Sequence, residues 1–556
     1  MLERGAVIRS PGALVAVAMA VGTVAVMLWR MLYGVDFTDE AFYVALPMRF
    51  VLGDQPFVHE LNIGQTAGLF LYPFVKVYTA LCGASGIMLF IRVLYLAFFA
   101  LVGWSVYAFA MTLRLPRSTG LLLGVTCICF LPHGLPGLSY NTISMGLFAI
   151  GLFVTARWLS IGKRSPRVWR SAVFWAGVAH GGACFAYPTL VLATVVTALA
   201  ILALASGERI RGTLSYAAGG CTFALLVSPL FLAAGLAHVR EVLAYSGGGG
   251  AAAAFTTQAV QGAVTGFLQQ NPQLPLAAFV VALAMTLGRR WPLLTAAAAV
   301  FFPVLAQGST LTGPRASLGY VSCFALLGPI LSLALRDRRT ARILVLAVAL
   351  PSAVVATAMT LTSGNGVLAA GIGLYPSALV TAVVLAMFID ECSKRARWSG
   401  ARELLALSPA TAIWMLLQYA VAQDGFYRGD GTLSQFTARI AHGPYKYLYT
   451  TPAKAEYLRT LSADIAAHPD GERALFAYDN PVGYLIANRR PLISSPWTFP
   501  LPTREERDAR LFMERAKPGD LVIRDHSRGG ASLDRAIVDR STLILTRPSY
   551  NVYIVR

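Results

Sequence analysis

Long apolar runs dominate this sequence and constrain its fold more than any other feature. One run covers residues 87–113 and contains a single charged residue, Arg92. Similar runs cover residues 214–236, 343–361, 368–389 and 404–421. A helix of about 20 apolar residues crosses the hydrocarbon core of a bilayer, where each backbone polar group must find its partner within the segment. The sequence therefore predicts a polytopic α-helical membrane protein.

Charged residues are scarce and unevenly placed. They make up 13% of the 556 residues, and the formal net charge is +19. Soluble domains contain about 25% charged residues. The basic residues form short clusters between apolar runs, as cytoplasmic loops do, and this pattern argues against a basic nucleic-acid-binding face. The clusters lie at residues 114–117, 163–170, 209–211, 289–290, 336–342 and 394–402.

These clusters determine the predicted topology. Arg4 and Arg9 place the N-terminus in the cytoplasm, and the first apolar run is interpreted as a retained helix rather than a cleaved signal peptide. All later clusters face the cytoplasm only if residues 67–82 form an amphipathic helix on the outer surface instead of a span. About thirteen spans result, at residues 12–33, 87–113, 118–133, 139–160, 172–186, 188–205, 213–236, 274–288, 291–307, 317–335, 341–361, 368–389 and 403–422.

The composition changes at about residue 423, where charges of both signs return. Helical patterns occur at residues 453–467 and 504–516. Strand patterns occur at residues 474–478, 521–524, 542–545 and 552–555. We therefore expect a transmembrane domain at 1–422, with its first outer loop at 34–86, followed by a small extracytoplasmic α/β domain at 423–556.

Three acidic residues follow the first apolar run, at the outer edge of the predicted membrane: Asp36, Asp39 and Glu40. They could belong to a solvated loop, or Asp39 could cap a following helix. Alternatively, a carboxylate at the lipid–water boundary could accept a proton from an acceptor hydroxyl while a lipid-borne substrate enters from the side. The residue types alone leave these alternatives open.

The segments 39–43 (Asp-Glu-Ala-Phe-Tyr) and 53–57 (Gly-Asp-Gln-Pro-Phe) resemble the first outer loop of GT-C glycosyltransferases. That superfamily includes protein O-mannosyltransferases and lipid A aminoarabinose transferases. The resemblance is strongest over residues 34–117 and continues as topology over the rest of the chain. It implies a GT-C-like fold, a polyprenyl-phosphate sugar donor and a reaction on the non-cytoplasmic face.

The resemblance also assigns roles to the three acids. Asp39 matches the catalytic aspartate, which would deprotonate the acceptor hydroxyl. The hydroxyl would then attack the anomeric carbon and expel polyprenyl phosphate, with inversion. Glu40 would orient the acceptor or hold the loop, and Asp36 is a possible substitute for Asp39.

Cationic residues are expected to bind the leaving phosphate, because the planar guanidinium fork suits phosphate oxygens. By the same resemblance, Arg92 and Arg315, the latter near Tyr320, are candidates. Arg92 could instead pair with a buried acid, and Arg315 could anchor to lipid headgroups. His59 and Glu60 are further candidates for the site lining. Where many relatives have a lysine and two prolines after the first-loop acids, this chain has Asn-Ile-Gly-Gln-Thr at 62–66.

No cofactor or metal-ligand set is assigned from the sequence, although Asp39, His59 and Glu60 leave a divalent metal open. We predict a membrane glycosyltransferase in the inner (plasma) membrane of a bacterium, with membrane lipids and an extracytoplasmic acceptor as partners. The alternative is a lipid-linked glycan transporter or another non-catalytic membrane component. A transporter of that kind would show matching halves, and the sequence shows no such repeat.

Overall fold

The computed structural model describes residues 11–161, 171–247, 256–270, 316–332, 335–363, 365–395, 411, 431–478, 480–498, 502–526 and 529–556. Within these residues, five helices are long and apolar enough to cross a membrane, or six if one bent pair is a single span. The predicted spans at 274–288, 291–307 and 403–422 lie wholly or almost wholly outside the described residues. The count of thirteen spans therefore stays a prediction.

The first half of the chain is helical. Its helices are α1 (Pro11–Arg30), α2 (Asp39–Val51), α3 (Gln65–Cys82), α4 (Ile87–Thr112), α5 (Arg117–Thr126), α6 (Tyr140–Ile161), α7 (Ala172–Ala186), α8 (Val191–Leu204), α9 (Arg209–Ala234), α10 (Leu236–Gly247) and α11 (Thr257–Gln270). The predicted span 118–133 is not one helix. After α5 the chain continues as two short 3-10 turns, Cys127–Cys129 and Pro132–Gly134.

The helices continue beyond residue 315 as α12 (Ala316–Ala325), α13 (Leu327–Ser332), α14 (Arg338–Ile343), α15 (Leu350–Thr362), α16 (Ala370–Gly373) and α17 (Tyr375–Arg395). A π-helical segment, Leu344–Ala349, joins α14 to α15. The predicted span 368–389 is bent by 45° between Gly366–Gly373 and Tyr375–Glu391. Two short helices, α12 and α13, also take the place of most of the predicted span 317–335.

Close helix packing rests on small residues. A Cβ atom built at Gly177 of α7 would lie 2.0 Å from the carbonyl oxygen of Tyr216, and one at Gly219 of α9 would lie 2.0 Å from the carbonyl oxygen of Phe174. Such close backbone approach is the usual way in which helices associate in a bilayer, where lipid tails remove the hydrophobic driving force. An alanine at either position would force these two helices apart.

The predicted outer loop 34–86 contains two helices. Most of α2 is buried, including every residue from Glu40 to Phe50. The hypothesis that Asp36, Asp39 and Glu40 belong to a solvated loop is therefore wrong. Helix α3 coincides with the predicted helix at 67–82, and it buries Leu71 and Val75 while Phe74 and Val77 remain exposed. Its position along the outer membrane surface stays a prediction.

The C-terminal residues form a mixed sheet. Strands β1 (Ala438–Arg439) and β2 (Tyr449–Thr450) pair with each other, and the five-stranded sheet has the order β4-β3-β5-β7-β6. Its strands are β3 (Arg473–Ala477), β4 (Arg490–Pro491), β5 (Leu521–Asp525), β6 (Ser541–Thr546) and β7 (Tyr550–Val555), and its helices are α18 (Pro452–Ala466), α19 (Val482–Ala487), α20 (Pro502–Arg515) and α21 (Ala531–Arg540).

In this sheet β3 runs parallel to β4 and β5, whereas β7 is antiparallel to β5 and β6. The predicted helices and strands of the tail coincide with α18, α20, β3, β5, β6 and β7. Division of the chain into domains at residue 422, and the outward position of the tail, stay predictions.

The tail contacts the segment between α1 and α2. Tyr33 forms a parallel bridge with Tyr449, and the N–H of Gly34 donates to the carbonyl oxygen of Tyr449 at 2.8 Å. Tyr445 donates its hydroxyl hydrogen to the carbonyl oxygen of Asp36 at 2.8 Å. The sheet and α2 therefore lie on the same side of the helical region.

Candidate active site at the start of helix α2

Asp36 holds the start of α2. Its Oδ1 accepts from the N–H of Thr38 at 3.2 Å and from the Thr38 hydroxyl at 2.8 Å, while its Oδ2 accepts from the N–H of Glu40 at 3.0 Å. The first N–H groups of a helix have no partner within the helix, and a carboxylate there also suits the helix dipole. Asp36, and not Asp39, provides the cap. With both oxygens engaged and 2% exposure, Asp36 is a structural residue rather than a substitute base.

Glu40 and Arg92 form a buried ion pair. Arg92 Nε donates to Glu40 Oε1 at 2.6 Å, and Nη2 donates to Oε2 at 2.8 Å. The other hydrogens of Arg92 go to the carbonyl oxygens of Met31 at 2.6 Å, Gly34 at 2.8 Å and Tyr33 at 3.5 Å. A guanidinium has five N–H donors, and all are used. Arg92 is 0% exposed.

This arrangement corrects one prediction. Arg92 has no donor left for a substrate phosphate, so the alternative, pairing with a buried acid, describes what it does. The two-pronged contact ties α4 to the first turn of α2 with defined geometry. Of the two roles expected for Glu40, holding the loop is the one that this geometry supports.

Asp39 is the first residue of α2 and is partly exposed. Tyr43 lies one turn further along the same face, since residues four apart on a helix are neighbours. Burial, together with Tyr140 and the carboxylate of Asp39, raises the pKa of Tyr43 well above its usual value. Tyr43 therefore keeps its proton and remains a hydrogen-bond donor beside Asp39.

A row of tyrosines extends from this point. The rings of Tyr43 and Tyr140 are 5.6 Å apart, and the rings of Tyr140 and Tyr187 are also 5.6 Å apart. The hydroxyl of Tyr187 lies 2.9 Å from that of Thr362. Tyr140 and Tyr187 were not predicted as site residues. The polar start of the span at 139–142, Ser-Tyr-Asn-Thr, is the signal that could have identified Tyr140.

The tail supplies an aromatic side chain to the same place. Phe42 lies 5.5 Å from Trp497, ring centre to ring centre. Phe42, Tyr43 and Leu46 form a small apolar cluster with Tyr140 and Trp497 packed against it. Aromatic faces beside a carboxylate suit the apolar faces of a sugar ring. Three parts of the chain thus meet at Phe42 and Tyr43, one turn of α2 from Asp39: α2, the start of α6 and the tail.

The opposite end of α2 carries a second charge network. Arg49 Nε donates to Asp54 Oδ2 at 2.9 Å, and Arg49 Nη1 donates to Glu60 Oε2 at 2.5 Å and to the carbonyl oxygen of Ser494 at 3.2 Å. Glu60 is 0% exposed, and burial raises its pKa to about 7 although Arg49 opposes the shift. This network joins α2 to the tail.

The prediction that His59 and Glu60 line the Asp39 site is therefore wrong, because both lie at the opposite end of α2. Ten residues separate Asp39 from Arg49, which places the two ends of α2 about 15 Å apart. A metal shared by Asp39, His59 and Glu60 is incompatible with this separation. Within the described residues, no three His, Cys, Asp or Glu side chains group as metal ligands.

Two further predicted site residues are Arg315 and Tyr320. Arg315 lies outside the described residues. Tyr320 lies in α12, a helix that contacts the turn Pro132–Gly134. A Cβ atom at Gly137, shortly after that turn, would lie 3.7 Å from Glu40 Cγ. The backbone of α12 thus approaches the loop that borders the Asp39 site, and a substrate role for Arg315 or Tyr320 stays a prediction.

Comparisons with known proteins address the fold. No protein-family model matches the sequence, and a comparison with curated proteins gave no match. Among solved structures, the apo oligosaccharyltransferase of Archaeoglobus fulgidus is similar over 99% of this chain and 75% of that chain, with 14% identity and a TM-score of 0.50.

Two structures of ArnT from Cupriavidus metallidurans are also similar. The apo form matches over 98% of each chain, with 14% identity and a TM-score of 0.48. The form bound to undecaprenyl phosphate matches over 97% of each chain, with 13% identity and a TM-score of 0.47. The likeness to the oligosaccharyltransferase shows that this chain has a GT-C-like fold, as the resemblance of its first outer loop implies.

Proposed function

We propose that this protein is a membrane glycosyltransferase that moves a sugar from a polyprenyl-phosphate-linked donor to a hydroxyl group outside the cytoplasm, with Asp39 as the base. One observation carries the proposal. Asp36 and Glu40 are buried and hold α2 in place, whereas Asp39 is partly exposed between them. Two of the three acids position the third.

In the proposed reaction, Asp39 accepts the proton of the acceptor hydroxyl as its oxygen attacks the anomeric carbon. The bond from that carbon to the phosphate oxygen breaks, and polyprenyl phosphate leaves with the electron pair. Attack opposite the leaving group inverts the anomeric configuration. Phosphate is a good leaving group, so the reaction does not require the acid that glycosidases use to protonate a leaving alcohol.

The surroundings of Asp39 suit this role. The positive end of the α2 dipole favours the ionised carboxylate. Tyr43 and Tyr140 offer hydroxyl groups, and Phe42 with Trp497 offers aromatic faces, on which a sugar ring can lie. Preorganised groups of this kind act without rearrangement when charge develops in the transition state.

The same proposal includes the topology. The tail contacts Gly34, Asp36 and Arg49, so the acids and the sheet share one side of the molecule. If the N-terminus is cytoplasmic, this side is outside the cytoplasm, where polyprenyl-linked donors are presented. The inner membrane of a bacterium, with an envelope glycan, lipid or protein as acceptor, is the setting that we propose.

The test measures transfer of labelled sugar from a panel of polyprenyl-phosphate sugars to the lipids, glycans and proteins of native cell envelopes, with the purified full-length protein. We expect transfer by the wild type and a rate at least about 10²-fold lower for Asp39→Asn, which keeps the size but cannot accept the proton. Asp36→Asn is the matched control. It retains an acceptor oxygen for Thr38 and should lose about tenfold or less, mainly through a weakened cap.

The thermal unfolding midpoint of each variant is also measured, and rates are compared per folded molecule, because the weakened cap in Asp36→Asn lowers stability. Equal transfer rates for the wild type and Asp39→Asn would show that Asp39 is not the base. No transfer from any donor, with the wild type folded and in a bilayer, would overturn the glycosyltransferase proposal.

A further inference from the structure

A cavity of about 390 Å³ lies at the far end of α2 from Asp39. It is bounded by the loop at 58–61, by α10 and by α20. Its polar lining consists of two histidines, two glutamates and three arginines of α20: His59, His238, Glu241, Glu514, Arg507, Arg510 and Arg515. The cavity is therefore separate from the proposed transfer site and strongly polar.

The charges around the cavity do not balance. Arg507 forms an ion pair with Glu241, and Arg510 Nε lies 3.9 Å from Glu514 Oε1. Each glutamate thus has an arginine beside it. Arg515 has no hydrogen bond or ion pair with the residues that the structure describes, and its Nη1 atom is buried. The lining therefore holds three arginines against two glutamates, a formal excess of one positive charge.

The neighbours of Arg515 strengthen this positive field. Burial and the nearby guanidinium groups of Arg473 and Arg49 lower the pKa of Arg515. Asp54 and Glu514 are the nearby acids that offset them, but Asp54 already lies 2.8 Å from Arg49 Nη2 and 3.7 Å from Arg473, and Glu514 lies beside Arg510. Like charges held together in a partly buried place attract a counter-ion.

Two other groups around the cavity are donors. His59 Nδ1 accepts from the N–H of Gln55 at 2.8 Å, so a neutral imidazole carries its proton on Nε2. Burial and nearby arginines lower the pKa of His59, which keeps the ring neutral. Arg507 Nε is buried and, among the described residues, lacks an acceptor. Buried donors without acceptors are costly and are usually satisfied by a ligand or by water.

We propose that this cavity binds a phosphoryl group, with Arg515 as its charged anchor and His59 and Arg507 as further donors. The donors come from two separate elements, α20 and the loop at 58–61. A tetrahedral oxyanion accepts hydrogen bonds from several directions, whereas a single carboxylate is best matched by one planar fork. The volume is within the range of small-molecule sites, about 300–1,000 Å³.

The phosphoryl group can come from free phosphate or from a lipid headgroup, and two probes distinguish these sources. Inorganic phosphate and dihexanoyl phosphatidic acid are each titrated calorimetrically into the purified full-length protein in phospholipid-free detergent, at constant ionic strength. Tighter binding of inorganic phosphate assigns the cavity to free phosphate. Tighter binding of phosphatidic acid assigns it to a headgroup. Either result supports the site if it depends on Arg515.

Arg515→Gln should weaken binding of the preferred probe by about tenfold or more, because a charge-assisted contact is lost. Its thermal unfolding midpoint without ligand should not fall, since repulsion from Arg473 and Arg49 is relieved. The matched control is Arg459→Gln on α18, whose pair with Glu456 is exposed, and its affinity should equal that of the wild type.

His59→Phe is a second variant, and it leaves the charge of the cavity unchanged. It should weaken binding of the preferred probe about three- to tenfold, because one hydrogen-bond donor is lost. The proposal is overturned if neither probe binds the wild type. It is equally overturned if both probes bind Arg515→Gln as tightly as they bind the wild type. If Arg515→Gln does not fold, the same criterion is applied to His59→Phe.

Discussion

The two ends of helix α2 carry similar residues in different surroundings. At the first end, Asp36 caps the helix and Glu40 pairs with Arg92, which leaves Asp39 partly exposed among aromatic rings. At the second end, Arg49 forms ion pairs with both Asp54 and Glu60, and all three side chains are buried. A charged side chain near the membrane boundary is therefore not, by its charge alone, a reactive group. The reactive candidate is the acid that its neighbours position and leave partly exposed.

The largest expected effect concerns the anchor of the first end. Arg92→Met leaves the Glu40 carboxylate buried without its partner, which costs about 3–5 kcal/mol of stability. The thermal unfolding midpoint in detergent measures the loss. The double variant Arg92→Met with Glu40→Leu removes both charges and should recover most of it. Full transfer activity in the recovered protein would show that Glu40 only holds the loop, and an inactive, stable double variant would give Glu40 a direct role.

The second end should respond to pH. Burial raises the pKa of Glu60 to about 7 and that of Asp508, which accepts from Ser494, to about 6. Because both values are higher than in the unfolded chain, the folded state binds more protons, and the unfolding free energy falls as pH rises through this range. We expect a loss of about 3 kcal/mol between about pH 5.5 and about pH 8, of which Glu60 contributes about 2 kcal/mol.

Unfolding midpoints across this range, measured for the wild type and for Glu60→Gln, test the pH dependence. The Gln variant cannot ionise at this position and keeps Asp54 as a partner for Arg49. Its midpoint should therefore vary less with pH. An identical pH dependence in both proteins would mean that Glu60 does not contribute to it.

A smaller effect is expected at the tyrosine row. Tyr140→Phe keeps the ring contact with Tyr43 and removes the hydroxyl, so the rate of transfer should fall about three- to tenfold, the effect of one hydrogen bond. Tyr187→Phe removes a hydroxyl that contacts Thr362, further along the row, and serves as the control. A larger loss for Tyr187→Phe than for Tyr140→Phe would move the site away from Asp39.

The smallest effect isolates the role of burial. Arg459 and Glu456 lie 2.6 Å apart, the same distance as Arg92 and Glu40, but their side chains are 75% and 57% exposed. Exposed pairs are screened by water and salt and contribute little. Arg459→Gln should leave both the unfolding midpoint and the transfer rate unchanged. A fall in the midpoint similar to that of Arg92→Met would contradict the account of both pairs.

Hydrophobic pattern alone predicted the simplest parts of this fold. The apolar run at 87–113 became α4, Ile87–Thr112, because an uninterrupted apolar segment leaves the backbone no alternative to a helix in lipid. Four strands of the tail, β3, β5, β6 and β7, were also predicted, whereas the two-residue strands β1, β2 and β4 were not. Helix α2 was not, because its burial depends on Ser494 and Trp497, which lie more than 440 positions further along the chain.

The candidate site could likewise be predicted only in part, because the roles of its acids depend on partners that are distant in the sequence. The resemblance at 39–43 selected Asp39 as the candidate base, but the residue types alone could not separate it from Asp36 and Glu40. The distinction depends on the ion pair between Glu40 and Arg92, two residues that are 52 positions apart in the chain. His59 and Glu60 were assigned to the wrong place, because their distance from Asp39 depends on the length and direction of α2.

The most direct test of this account compares one acid from each end of α2. The transfer rate per folded molecule and the unfolding midpoint are measured together for Asp39→Asn and Asp54→Asn. We predict that Asp39→Asn loses at least about 10²-fold in rate with its midpoint retained, and that Asp54→Asn lowers the midpoint while its folded fraction keeps its rate. The account would be contradicted if Asp39→Asn kept its rate, or if folded Asp54→Asn were the inactive variant.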